Sequence, residues 1–121
     1  MATLRGMSER VDVVGVGGIG TSGLAAVLAQ AGAVVTGSED SRTILASELL
    51  ERFPQIRVYD GYSASHLDGV DRVIHTVAAR PDNPELAEAR RRDVPVFTYP
   101  QALGLFLDGA ACVLCRCAPR F

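Results

Sequence analysis

Residues 11–24 read VDVVGVGGIGTSGL, and this stretch limits what the chain can fold into more than any other. An apolar run of Val11, Val13, Val14 and Val16 leads into Gly15-x-Gly17-x-x-Gly20. Leu24, Val27, Leu28 and Ala31 then recur at helical spacing. A strand that feeds a glycine turn and then a helix is the context in which this glycine spacing carries meaning. Glycine permits a tight turn and close backbone approach, so N–H groups at the helix start can point at a diphosphate. Gly15, Gly17, Gly18, Ile19 and Gly20 therefore form a candidate diphosphate turn, and Thr21 and Ser22 offer hydroxyl donors just past it. The competing reading is a tight strand-to-helix turn that binds nothing.

The rest of the chain alternates strand and helix signals. Strand one covers about Val11–Val16, and a helix runs from about Ile19 to Ala31, with Gly32 as a left-handed C-terminal residue. A short apolar strand at Ala33–Thr36 suits burial on both faces. Ser38-Glu39-Asp40-Ser41 supplies a turn and an N-cap for a second helix, about Arg42–Arg52, with Ile44, Leu45 and Leu49 on one side and Pro54 preventing continuation. Ile56–Tyr59 is a third strand, and 61–69 a loop with one helical turn at Ser65–Leu67. Arg72–Thr76 is a fourth strand. Asn83 caps the next helix, Pro84 takes its first position, and Glu85 and Glu88 favour the positive end of its dipole. Arg90, Arg91 and Arg92 close that helix as a solvated terminus. Val94–Thr98 is a fifth strand, Pro100–Leu107 a last helix, and Ala110–Cys115 a sixth strand.

Such alternation means an α/β fold: a single Rossmann-like domain, its sheet mainly parallel, with helices on both faces. A length of 121 residues supports one core and not two. The expected division is a lead over 1–10, the domain over 11–110, and a truncated or non-native tail over 111–121.

Composition removes several functions. All twelve basic residues are arginine, so a Walker-type loop and a Schiff-base lysine are both excluded. A net charge of −2 gives no general attraction to nucleic acid or anionic lipid. No apolar run reaches the ~20 residues of a membrane span and no secretory signal is visible, so the expectation is a cytoplasmic protein with neither nucleic acid nor membrane as partner. Cys112, Cys115 and Cys117 crowd the last ten residues without a fourth ligand nearby, and no metal site is expected.

In a doubly wound sheet, ligands sit beyond the carboxyl ends of the strands, near the switch in strand order. The loops there hold 17–22, 38–40, 60–62 and 76–80. Glu39 and Asp40 fall nineteen and twenty residues after Gly20, where an acid meets a ribose hydroxyl; one of them capping the second helix is an equal alternative. Ser22 lacks the spacing of a nucleophile elbow. His66 and His75 have no acid or cysteine at a telling spacing, and His75 reads as a structural strand residue. No catalytic residue is assigned.

GVGGIGTSGLA at 15–25, GSED at 37–40 and DNPEL at 82–86 resemble the N-terminal domain of the Mur ligases, closest to the branch that joins L-alanine to UDP-N-acetylmuramate in peptidoglycan synthesis. The resemblance extends over about Val11–Leu107. It implies that UDP-N-acetylmuramate is the ligand, with 17–22 facing the diphosphate. Ser38 and Glu39 would lie near the uridine, and Tyr62, Thr76, Val77 and Ala78 on the same side. It also implies that ATP and Mg2+ serve the full-length ligase through a central domain, and that the amino acid enters through a C-terminal one. This chain would carry no cofactor of its own.

The chain departs from the family pattern at Thr21 for Met, Glu39 for Asp, Tyr62 for a common His, and Thr76-Val77-Ala78 for Ser-Ser-Ala. The family's ATP loop follows the strand after the last helix, whereas here residues 114–121 read LCRCAPRF. The expectation is that this chain alone does not ligate. The alternatives from other classes are the NAD(P)-binding domain of an oxidoreductase and a non-catalytic nucleotide-binding or regulatory module.

Overall fold

A computed structural model of the chain describes residues 9–40 and 44–108. The β-branched run of β1 (Arg10–Val14) buries every residue after Arg10, as a strand covered on both faces must. It is followed by α1 (Ile19–Gln30), β2 (Val34–Glu39), α2 (Ile44–Arg52), β3 (Arg57–Asp60), a 3₁₀ turn at Ala64–Leu67, β4 (Arg72–His75), α3 (Pro84–Arg91), β5 (Val96–Thr98) and α4 (Tyr99–Asp108).

The five strands pair only in parallel, in the order β3-β2-β1-β4-β5. Strand order therefore switches between β1 and β4. One core joins Val11, Val13, Val35, Ile74 and Phe97 to Leu24 and Leu28 of α1, Leu49 of α2, and Ala102 and Leu105 of α4. The opposite face packs Val14 and Val73 on Leu67 of the 3₁₀ turn and on Leu86 and Ala89 of α3. Rossmann-like architecture with helices on both faces is thus what the chain adopts.

The largest departure from the expected elements is β2, which runs three residues past Thr36. Its parallel register with β1 continues through Val13–Gly37 and Val14–Ser38. Gly37 permits this: a Cβ there would lie 2.7 Å from Val16 Cβ. Residues 38 and 39 are consequently strand, not turn. Other ends shift by one or two residues. β1 stops at Val14 because Gly15 turns left-handed (φ +81°), and β5 begins at Val96. Gly32 (φ +103°) follows α1 as its left-handed terminator. The lead through Ser8, the cap at Ser41, the sixth strand and the cysteine cluster lie outside the described residues. No helix among the described residues is long and apolar enough to cross a membrane.

Candidate functional site

The glycine turn is held by its own packing. Gly15 N and Val16 N both donate to Ser38 O (2.9 and 3.2 Å), drawing the turn against the end of β2. At Gly15, a left-handed residue, a Cβ would stand 2.5 Å from Thr76 Cγ2. A Cβ on Gly20 would stand 2.6 Å from the Tyr99 ring, so its absence lets α1 settle on the start of α4. Thr21 is turned inward and 3% exposed; its hydroxyl donates to Gly15 O at 2.7 Å and closes the turn, pointing away from the cleft. Ser22 donates to Ile19 O at 3.2 Å within the first turn of α1.

What the turn leaves open is backbone. Gly18, the N-cap, contributes no side-chain bond, and among the described residues the N–H groups of Ile19, Gly20 and Thr21 donate to nothing. Open donors at the positive end of a twelve-residue helix form an anion-seeking surface. The Ile19 side chain stands 85% exposed beside it.

The acids at the end of β2 are arranged differently from the expectation. Ser38 is fully buried and donates to Glu85 Oε1 at 2.9 Å, so its hydroxyl is directed into the interior and away from a uridine. Glu39 is half-buried and bends back to the glycine turn, where its Oε2 accepts from Gly17 N at 2.5 Å. Gly61 N donates to Glu39 O at 2.5 Å and fixes that backbone from the β3 side. The capping alternative for Glu39 or Asp40 falls on the residues leading into α2, which lie outside the described residues.

A cleft of about 440 Å³ opens at the carboxyl ends of the strands, on the α3 side. Asp40, Tyr62, Ala78, Arg80 and Asn83 are among its walls. Tyr62 lies where burial, and then the carboxylates of Glu39 and Asp40, push its phenol above the ordinary value. Thr76 packs on Gly15, while Val77 stands 73% exposed at the rim. Tyr62 and Ala78 are thus brought together in one cleft, Glu39 and Gly17 meet beside it, and Ser38 and Thr21 do not face it.

Beneath the cleft lies a polar cluster that spacing did not reveal. Glu85 is completely buried at the start of α3, with its N–H bound to the Asn83 cap at 2.9 Å. Its carboxylate accepts from Ser38 and from Ser63 N (3.2 Å) and meets His66 Nδ1 at 2.7 Å. The His66 ring stacks on Tyr59 with centroids 3.7 Å apart. Asp12, in the middle of β1, accepts from Thr36 Oγ1 at 3.1 Å, while its Oδ2 has no partner. Burial, with the adjacent Glu85 carboxylate, pushes Asp12 up to about 9, so it is protonated at neutral pH. The one sequence signal for this cluster was Asp12 itself, a charged residue inside a valine run. No group of three potential metal ligands occurs among the described residues.

A family model described as the catalytic domain of the Mur ligase family matches residues 10–111. This chain belongs to the Mur ligase family. It is 45% identical over 106 residues to the UDP-N-acetylmuramate–L-alanine ligase of Mycobacterium avium, covering 84% of this chain and 21% of that protein. The enzyme of the same name from an Anaeromyxobacter species is 39% identical over 105 residues, covering 85% of this chain and 22% of the relative. The crystal structure of UDP-N-acetylmuramate–alanine ligase MurC from Thermotoga maritima superposes with a TM-score of 0.76 at 33% identity, over 82% of this chain and 23% of that one. The chain therefore corresponds to the N-terminal domain of such Mur ligases and spans about a fifth of their length.

Proposed function

We propose that this Mur ligase domain holds the UDP part of UDP-N-acetylmuramate for an enzyme that joins the sugar's carboxylate to L-alanine in the cytoplasm. The observation that carries the proposal is the open set of N–H groups at Ile19, Gly20 and Thr21, beside the strand-order switch. Such donors suit a diphosphate, and the dipole of α1 adds to their attraction. The 440 Å³ cleft has room for a nucleoside, with the Tyr62 ring as an apolar wall and Ala78 opposite the acids. Gly15, Gly17 and Gly18 shape the diphosphate turn, while Glu39, Tyr62, Thr76, Val77 and Ala78 border the uridine side. Ser38 acts there through its backbone, which anchors the turn.

ATP and Mg2+ are assigned to the ligase outside this domain. The chain contains no lysine for a phosphate loop. Its own task is to bind and orient: it fixes the nucleotide so that the muramoyl carboxylate projects toward the remainder of the enzyme.

Calorimetric titration with UDP-N-acetylmuramate, with NAD and NADP run in parallel, tests the assignment. Binding of the UDP-sugar alone is the expected result. Binding of a dinucleotide alone would move the site to the nicotinamide class, and no binding by any of the three would leave a domain that kept the fold without the ligand.

A further inference from the structure

The carboxylate of Glu39 occupies a donor of the very turn that the proposed ligand needs. Its Oε2 lies 2.5 Å from Gly17 N, while the backbone on either side is held in place: Ser38 O by Gly15 and Val16, and Glu39 O by Gly61. Only the side chain is at liberty to move. Its neighbours on the exposed side are acids as well, since Asp40 follows it and both carboxylates act on Tyr62. Arg80, at the far wall of the cleft, is paired with Asp82 at 3.2 Å and offers Glu39 no countercharge. Among the described residues, the Gly17 amide is what holds this carboxylate.

A phosphate and a carboxylate cannot share that amide. Two anions within a few ångströms repel, and the site has a single N–H to give at this point. Ribose hydroxyls are the opposite case, because they donate and a carboxylate only accepts. We propose that Glu39 is an internal anion that is exchanged on binding: it leaves Gly17 for the ribose hydroxyls as the diphosphate takes the turn. It thereby sets specificity for a ligand that carries both groups. A bare phosphate that takes Gly17 N in addition to the open donors of Ile19, Gly20 and Thr21 must displace Glu39 without compensation, and a bare nucleoside gains Glu39 without needing the turn. This inference rests on the nucleotide assignment above and adds to it how the site refuses incomplete ligands.

Glu39→Gln, which keeps the size and removes the charge, separates the two halves. The full chain is titrated with inorganic pyrophosphate and, separately, with uridine, while the Gly17 amide resonance is followed by NMR. In the variant, pyrophosphate should bind about tenfold more tightly and uridine about three- to tenfold more weakly, the size of one charge-assisted hydrogen bond gained or lost. The Gly17 amide proton should also shift upfield in ligand-free Glu39→Gln, since it loses the carboxylate. Affinities that move in the same direction, or do not move, would overturn the exchange. An unshifted Gly17 resonance would show that the carboxylate never sat there. That reading of Gly17 needs no ligand, so it stands apart from failure of UDP-N-acetylmuramate itself to bind, which would instead defeat the nucleotide assignment.

Discussion

At the residue scale, Asp12 shows how a single side chain acquires properties its sequence neighbours do not disclose. An ionised carboxylate in the interior, next to Glu85, is costly, and the group responds by keeping its proton. Its folded-state value is about 9, against the usual value near 4 in an unfolded chain. Between those limits the folded form binds one more proton than the unfolded form. Stability from this group is therefore fully present below about pH 4 and is lost as pH rises toward 9, by up to about 1.4 kcal/mol per pH unit. Asp12→Asn, which mimics the protonated acid, should flatten that decline. Urea unfolding at pH 5 and pH 8 should show the variant gaining on the parent at the higher pH. Parallel curves would mean that Asp12 is ionised in the fold.

At the scale of elements, α3 begins where the sequence says it should, and for the expected reason. Asn83 accepts from Glu85 N, and Pro84 fills the first helical position. The charge of Glu85 suits the positive end of the helix dipole. Its main work is to bind Ser38 of β2 together with Ser63 and His66 of the 3₁₀ turn, two other segments of the chain. The cap thus serves both the helix and the cluster. Asn83→Ala should cost about 1 kcal/mol in thermal or urea unfolding, and it should perturb the His66 ring signals 17 residues away in sequence. A stability loss with an unmoved His66 would confine the cap's role to α3. The arginines at the other end behave as a helix terminus: Arg91 and Arg92 pair with Glu88, Arg92 also with Asp68, and Arg90 donates to Pro81 O.

At the scale of the molecule, the parallel sheet brings distant segments to one edge. Gly17, Glu39, Tyr62 and Ala78 lie at the carboxyl ends of four successive strands, and the parallel order with its switch between β1 and β4 gathers them at one end of the sheet. A ligand that spans them should stabilise the whole domain, because it binds the folded form alone. Saturation at about 100 times the dissociation constant should add about 2.7 kcal/mol to unfolding, visible as a raised Tm with UDP-N-acetylmuramate. Gly17→Val should abolish that rise with a modest effect on the unliganded Tm. Gly17 is not among the left-handed glycines, so a valine there incurs no left-handed strain and adds its bulk at the turn. A ligand-induced rise that survives in this variant would remove the glycine turn from the site.

Periodicity and glycine spacing determined the fold class, the order of the described elements and the strand-turn-helix around Gly15–Gly20, while the motifs at 15–25, 37–40 and 82–86 carried the resemblance to the Mur ligase family. These are local properties: β-branched runs, caps and turn residues act within a few positions and can be read where they stand. Tertiary structure alone decided which side chains face the cleft. Thr21 and Ser38 looked available because hydroxyls commonly serve phosphate and uridine sites, yet the turn uses one and Glu85 the other. Glu39 lies where an acid was expected but is bound to Gly17, 22 residues away. His66 showed no partner in sequence because its partner lies 19 residues away, on the helix packed beside its own 3₁₀ turn. Sequence spacing cannot express such pairs, because parallel pairing joins residues separated by a whole helix and sets them within hydrogen-bond reach.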